Sequence, residues 1–166
     1  VVARVPRAEL HVYGSGSEKE NLKQLAGELG LQNCVQLNPP VMLGEIPQIV
    51  ANADVGVVAK RADSFGNLAY STKILEFMAQ GIPVVLSRTK IDQYYFNDTE
   101  ARVFTSGEVP ELAQALIDVL TDSELNNTLK TNATKLVAKS NWETRRPAYF
   151  RIVDALCIGT AVLPIL

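Results

Sequence analysis

The chain has little of several residue types, and each shortage excludes a class of protein. Cys34 and Cys157 are its only cysteines, which are too few for a disulfide framework or a zinc site. A balance of 16 Lys and Arg against 18 Asp and Glu gives a net charge of −2 with mixed signs, so no basic surface indicates a nucleic-acid partner. No uninterrupted apolar run approaches the roughly 20 residues that a membrane span needs. The few cysteines are typical of a reducing compartment, and we expect a cytoplasmic location.

What the chain does contain is enough for one folded domain. Its 166 residues are 47% apolar and 20% charged, which excludes disorder and allows an ordinary core. The chain begins at Val1 without a signal-peptide pattern, and we expect a further segment before it. Residues 157–166 carry no charge. We expect this apolar tail to pack on something outside the chain or to be non-native, and we assign the domain to residues 1–156.

Strand and helix patterns alternate along the chain. Short β-rich or apolar runs, which predict strands, lie at residues 10–13, 34–37, 54–59, 82–87 and 102–105. Helical spacing of apolar residues follows at 22–29, 43–53 and 71–80, and then in three pieces from residue 110 that break near 122–123 and 140–141. This alternation predicts an α/β fold, an open and mostly parallel sheet of the Rossmann type with helices on both faces.

Ligands of such sheets bind beyond the carboxyl ends of the strands, and the first candidate loop there is residues 14–17. Its Gly-Ser-Gly-Ser sequence resembles a dinucleotide fingerprint, but Lys19 occupies the third glycine position. Ser17 and Glu20 form a capping-box pattern. A tight turn into a self-capped helix is therefore the favoured interpretation, with Gly14 still able to lie beside a ligand.

The second candidate is the polar loop of residues 60–70 with the helix after it. Ser71 is a suitable cap for this helix, but Lys73 stands in its first turn, where a cation opposes the helix dipole. Ser71, Thr72, Lys73 and free backbone N–H groups together suit a diphosphate. Two alternatives stay open: Lys73 points into solvent, or it forms a surface ion pair with Glu76, three residues later on the same face.

Three motifs follow one another in residues 53–85. They are Ala-Asp-Val-Gly-Val-Val-Ala, then Asp-Ser-Phe-Gly-Asn, then Ser-Thr-Lys-Ile-Leu-Glu-Phe-Met-Ala-Gln-Gly-Ile-Pro-Val-Val. Residues 8–18 add a strand with a Gly-x-Gly-x-Glu turn, and residues 29–37 agree as well. In this order and spacing, the motifs resemble the donor-binding half of GT-B glycosyltransferases, most closely the retaining group called family 4. The resemblance covers residue 8 to about residue 155.

This resemblance implies a two-domain enzyme, of which the chain is the C-terminal, nucleotide-sugar-binding domain without its first strand. The acceptor domain would precede it in the same polypeptide. In relatives, a Gly-Arg…Lys stretch after that first strand holds the donor diphosphate, and this chain has none. We therefore expect the isolated chain to lack transferase activity, and we expect an exposed sheet edge or apolar patch near the amino end and around residues 158–166.

The site residues implied by the resemblance lie mostly in residues 63–76. Glu76 matches the second glutamate of the family pair, which accepts hydrogen bonds from the ribose, whereas Leu68 occupies the place of the first. Lys73 and Asp63 are the candidate catalytic residues. Either a longer loop brings Asp63 to the sugar, or backbone groups and Asn67 contact the sugar instead. The remaining candidates for donor binding are Ser71, Thr72, Gly66, Asn67, Gly14 and Val35, the last of these near the base through its backbone.

The implied function is sugar transfer from a UDP- or GDP-sugar to an acceptor, in glycan or envelope polysaccharide synthesis. Cations and a helix N-terminus stabilise the leaving diphosphate without metal, so neither a metal nor another cofactor is expected. The full-length enzyme could associate peripherally with the inner face of the cell membrane. Two alternatives remain. One is a nucleotide-sugar 2-epimerase of the same architecture, although His11 is the only histidine; the other is a non-enzymatic, flavodoxin-like interaction module.

Overall fold

The computed structural model describes residues 1–158, in which five strands alternate with seven helices. The strands are β1 Leu10–Tyr13, β2 Val35–Asn38, β3 Gly56–Val58, β4 Val84–Arg88 and β5 Arg102–Thr105. The helices are α1 Lys19–Glu28, α2 Ile46–Ala51, α3 Thr72–Ala79, α4 Lys90–Tyr95, α5 Val109–Thr121, α6 Ser123–Ser140 and α7 Trp142–Cys157, with a 3₁₀ turn at Leu43–Glu45 before α2.

All strand pairs are parallel, as the alternation predicts, but the strands form two sheets. One contains β1 and β2, and the other has the order β3-β4-β5. Within residues 1–158 no ladder joins β1 to β3, so each of these strands has one edge without a strand partner. The side chains of β1 are also exposed, with Leu10, Val12 and Tyr13 between 39% and 48% accessible. This agrees with the exposed edge expected near the amino end.

Strand β4 is the centre of the core because its two faces pack on different helices. Val84 and Leu86 lie in one cluster with Ile74 and Met78 of α3. Val85, which points to the opposite face, packs with residues of β5, α5 and α6. All three β4 valine and leucine side chains are at most 1% exposed. The predicted Rossmann-like arrangement, a parallel sheet with helices on both faces, is therefore confirmed.

The helix ends agree in part with the sequence patterns. Gly30 and Gly81 follow α1 and α3 with φ of +68° and +70°, a conformation that ends helices and favours glycine. The capping box predicted from Ser17 is wrong. The N-cap of α1 is Glu18, whose backbone is already helical, and no side chain caps this helix, so Ser17 lies one residue too early.

The last helices match the predicted breaks, because Asp122 and Asn141 stand between them as N-caps whose side chains accept hydrogen bonds from the first turns of α6 and α7. Within residues 1–158, no helix combines the length and apolar character that crossing a membrane requires. Of the expected apolar patch at residues 158–166, Ile158 is 73% exposed, and the other residues lie outside the described part of the chain.

Candidate functional site

The site lies at the carboxyl ends of β3, β4 and β5. Since these strands are parallel, their carboxyl ends share one edge of the sheet, which is where open α/β folds bind ligands. The β3–α3 loop, residues 59–71, begins at this edge and leads into α3. Its shape and the first turn of α3 therefore determine what the edge can bind.

Backbone groups at the start of the β3–α3 loop are tied to the two neighbouring strands. Lys60 N–H donates to Ser87 Oγ of β4 at 2.8 Å. Ser106, just after β5, donates its hydroxyl to the Lys60 carbonyl at 2.8 Å and accepts from Ala62 N–H at 2.9 Å. These bonds hold the start of the loop against β4 and against the residue that follows β5.

The side chain of Lys60 ties the end of the same loop to α4. Its ammonium donates to the Ala69 carbonyl at 2.8 Å and lies 2.9 Å from both carboxylate oxygens of Asp92. Thr89 donates its hydroxyl to Asp92 at 2.7 Å. Asp92 has no exposed side-chain surface and Lys60 has 16%. The two opposite charges therefore satisfy each other away from solvent.

Tyr70, the residue after Ala69, packs against two aromatic side chains. Its ring lies 4.9 Å from that of Tyr95 in an edge-to-face arrangement and 6.2 Å from that of Phe96 in a stacked one. Partial burial raises the pKa of Tyr70 above its ordinary value, and the neighbouring Tyr95 and Asp92 act in the same direction. The phenol therefore stays neutral at physiological pH.

The middle of the loop is shaped by Asp63, Gly66 and Asn67. Asp63 Oδ1 accepts from Phe65 N–H at 3.1 Å and from Gly66 N–H at 2.7 Å. Asn67 Oδ1 accepts from Lys90 N–H at 2.9 Å. One oxygen of the candidate catalytic carboxylate of Asp63 is thus used to form a turn, and the Asn67 oxygen holds the loop against α4.

The first turn of α3 carries the predicted diphosphate-binding groups. Ser71 is at the N-cap with an extended backbone, but no side chain accepts from the first-turn N–H groups. Lys73 and Glu76 are exposed, and among residues 1–158 neither forms a side-chain hydrogen bond or an ion pair. The alternative of a Lys73–Glu76 surface pair is therefore not realised. Ile74, on the opposite face, is fully buried and fixes the helix to the core.

The other two predicted binding residues belong to the separate sheet of β1 and β2. Gly14 follows the carboxyl end of β1, and its N–H donates to the Asn38 carbonyl at 3.3 Å. Val35 is the first residue of β2, so it lies at the amino end of the strand. The structure does not bring Val35 to the carboxyl edge at which the predicted base contact would belong.

His11, the only histidine of the sequence, belongs to β1 and not to the β3–α3 loop. His11 is exposed, and its Nε2 lies 2.9 Å from Glu9 Oε2. No group of three or more His, Cys, Asp and Glu side chains within residues 1–158 is arranged to hold a metal ion.

Four residues of the site were not predicted from the sequence: Lys60, Asp92, Thr89 and Ser106. A usable signal existed for two of them, because Thr89 and Asp92 are three residues apart and form the start of α4. Thr89 Oγ1 accepts from Asp92 N–H at 3.3 Å, as in a capping box. No local pattern indicates the partner Lys60, which is 32 residues away.

Comparison with known proteins adds a curated relative and three solved structures. The relative is the lipopolysaccharide core biosynthesis glycosyltransferase LpsE of Rhizobium meliloti, 29% identical over 154 residues, which are 92% of this chain and 43% of LpsE. Sucrose-phosphate synthase from Thermosynechococcus elongatus superposes with a TM-score of 0.82 at 21% identity, over 96% of this chain and 41% of that one. The chain thus spans less than half the length of both proteins.

Two further structures have the same fold. Anabaena HepE in complex with UDP-glucose has a TM-score of 0.70 at 22% identity, over 83% of this chain and 39% of HepE. The C-terminal domain of the group 1 glycosyl transferase LpcC from Francisella tularensis has a TM-score of 0.71 at 21% identity, over 83% of this chain and 72% of that domain.

A family model described as "Glycosyl transferases group 1" matches residues 1–136. This match covers most of the chain, and it decides against a non-enzymatic flavodoxin-like module. The chain therefore belongs to the glycosyl transferases group 1 family and has the fold of its C-terminal GT-B domain.

Proposed function

We propose that this chain binds the donor of a glycosyltransferase, a nucleotide-diphosphate sugar, with the diphosphate at the first turn of α3. The observation that carries the proposal is the environment of Lys73. It is an exposed cation without an ion-pair partner in residues 1–158, in a first turn that no side chain caps. A cation there opposes the helix dipole unless an anion is close. A diphosphate supplies that anion and accepts from the free N–H groups.

The same groups provide the chemistry of sugar transfer. When the bond between the sugar and the diphosphate breaks, negative charge develops on the leaving diphosphate. Lys73, the α3 N–H groups and the hydroxyls of Ser71 and Thr72 stabilise this charge, which needs no metal. Glu76, one turn further along the same exposed face, accepts hydrogen bonds from the two ribose hydroxyls.

Asp63 and Asn67 contact the sugar from the β3–α3 loop. Asp63 Oδ1 is occupied by the turn, so the contact uses Oδ2. Gly66, which is buried in the same turn, contributes backbone groups only. Gly14 lies beside the donor from the carboxyl end of β1.

UDP and GDP are the proposed nucleotides. The UDP-glucose complex of HepE, which shares the fold, supports testing UDP first. The acceptor binds to an N-terminal domain of the same polypeptide, and the product is a glycan or an envelope polysaccharide. The enzyme acts in the cytoplasm. For a membrane-bound acceptor, it associates peripherally with the inner face of the cell membrane.

Calorimetric titration of the complete polypeptide that contains this chain tests the site. The ligands are a nucleoside, its monophosphate and its diphosphate, for uridine and for guanosine. A charge-assisted bond contributes roughly 1.5–3 kcal/mol, so Lys73→Ala should weaken diphosphate binding by about tenfold or more and leave nucleoside binding almost unchanged. Glu76→Ala should weaken all three ligands, since its partner is the ribose.

Lys135→Ala is the matched control, because Lys135 is an exposed lysine in the middle of α6 and loses the same charge. It should bind all ligands like the parent. Equal diphosphate affinity of the parent and Lys73→Ala would overturn the assignment of Lys73, and absence of nucleotide binding by the parent would overturn the proposed function.

A further inference from the structure

We propose that Lys60 and Asp92 are positioning residues of the diphosphate site. Their ion pair holds the end of the β3–α3 loop, and through it the first turn of α3, in the geometry that binds the two phosphates. The inference rests on the proposed function, but it concerns residues to which neither the family motifs nor the predicted site assigns a role.

The Lys60 ammonium binds the loop close to the start of α3. Its hydrogen bond to the Ala69 carbonyl is made two residues before Ser71, the N-cap of α3. The loop is therefore closed on itself, because Lys60 at its start holds Ala69 near its end. The path by which the chain enters α3 depends on this bond, and so do the directions of the first-turn N–H groups and of Lys73.

The charge of Lys60 is paired within the protein. Asp92 is completely buried, and both of its carboxylate oxygens lie 2.9 Å from the Lys60 ammonium, so the charge of Lys60 is already compensated. Lys60 is therefore not itself a phosphate ligand. Lys73, in contrast, lies next to the first-turn N–H groups of α3, and its charge has no ion-pair partner within residues 1–158.

Burial of the Lys60–Asp92 pair is a weak source of stability. Desolvating a lysine and an aspartate offsets much of their attraction, and apolar residues of similar size often stabilise such a position as well. The pair is nevertheless supported by Thr89, whose hydroxyl donates to Asp92 at 2.7 Å. A geometric role at the edge where the ligand binds accounts for this arrangement.

Lys60→Met in the complete polypeptide is the test, because methionine keeps much of the side-chain length and removes the ammonium. We expect UDP or GDP to bind about fivefold more weakly or worse, whereas the corresponding nucleoside binds within about twofold of the parent value. Asp118→Asn is the matched control. It breaks another partly buried pair, in which Arg102 Nη2 lies 2.7 Å from Asp118 Oδ2, away from the β3–α3 loop, and should leave both affinities unchanged.

A double-mutant cycle separates positioning from general destabilisation. If Lys60 acts through the first turn of α3, Lys60→Met should weaken diphosphate binding much less in a Lys73→Ala background than in the parent. Additive effects of the two substitutions would overturn the positioning role. So would a Lys60→Met protein that binds the diphosphate like the parent while the parent itself binds well.

Hydrogen exchange measured without ligand tests the positioning role independently of the proposed function. In Lys60→Met, the amides of residues 67–69, which donate hydrogen bonds within the β3–α3 loop, should lose protection relative to those of β4, whereas Asp118→Asn should leave them unchanged. Unchanged protection in Lys60→Met overturns the positioning role by itself. A parent that binds no nucleotide overturns the proposed function, and with it the diphosphate part of this inference.

Discussion

Gly66 is the position where the structure predicts the largest effect of adding one methyl group. It is buried in the middle of the β3–α3 loop, at the turn that Asp63 Oδ1 organises. A Cβ atom at this position would fall inside the van der Waals envelope of the Arg61 carbonyl group. Gly66→Ala should therefore force the turn open. At positions without such a clash, the same substitution stabilises a protein because it reduces the conformational entropy of the unfolded chain.

The magnitude follows from what the methyl group meets. The Arg61 carbonyl is backbone, so it cannot rotate away as the end of a flexible side chain can. Overpacking of this kind costs about 1–3 kcal/mol, and loss of the Gly66 N–H bond to Asp63 costs about 1 kcal/mol more. A destabilisation of about 3 kcal/mol in a chain of this size lowers Tm by roughly 6–12 °C.

Thermal and urea unfolding of the parent, Gly66→Ala and a control variant measure this effect. The control is Gly44→Ala, because a Cβ atom there has no neighbour within 4 Å and its φ is not in the left-handed region. It should stay within about 0.5 kcal/mol of the parent. If Gly66→Ala were as stable as Gly44→Ala, the reasoning about the turn would be refuted.

Two further predictions concern positions outside the loop. Gly27→Ala in α1 should raise the free energy of unfolding by about 0.5–1 kcal/mol, because its Cβ atom would meet nothing within 4 Å; urea unfolding that shows a loss would contradict this. The Thr105 N–H bond to Glu111 lowers the pKa of that carboxyl from its ordinary value. The stabilisation from this bond is therefore present above the ordinary pKa of a glutamate and lost as pH falls through the lowered, folded-state pKa. The stability difference between the parent and Glu111→Gln should shrink over that range in urea unfolding at several pH values.

The buried strands and the long helices could be predicted because their signals are local. The continuous apolar run around Val84 and Leu86 is typical of a strand buried on both faces, and that is how β4 packs. The breaks before α6 and α7 were readable from Asp122 and Asn141, which are good cap residues. Helix α4 was missed, since six residues carry too little periodicity to distinguish a helix from a loop.

The candidate site was predictable only in the part that lies on one helix. Thr72, Lys73 and Glu76 are close in sequence, and helical geometry alone places them together. Lys60 and Asp92 are brought together by the packing of β3 against β4, which no local pattern encodes. Val35 is a different case: its strand was identified correctly, and the structure places this residue at the amino end of β2, away from the predicted ligand edge.

The hydrogen bonds that hold the β3–α3 loop also bear on the order in which the chain folds. They connect residues 27, 32, 44 and 46 positions apart, and contacts of such separation carry a large loop-closure entropy. Because Ser87 lies on β4 and Ser106 follows β5, we expect these strands to be paired before the loop acquires its shape. We expect the loop to be among the last parts of the chain to form, with φ-values near zero. A partly folded chain with an intact β4–β5 core would then lack the proposed nucleotide site, and a nucleotide bound at that site would stabilise only the fully folded molecule.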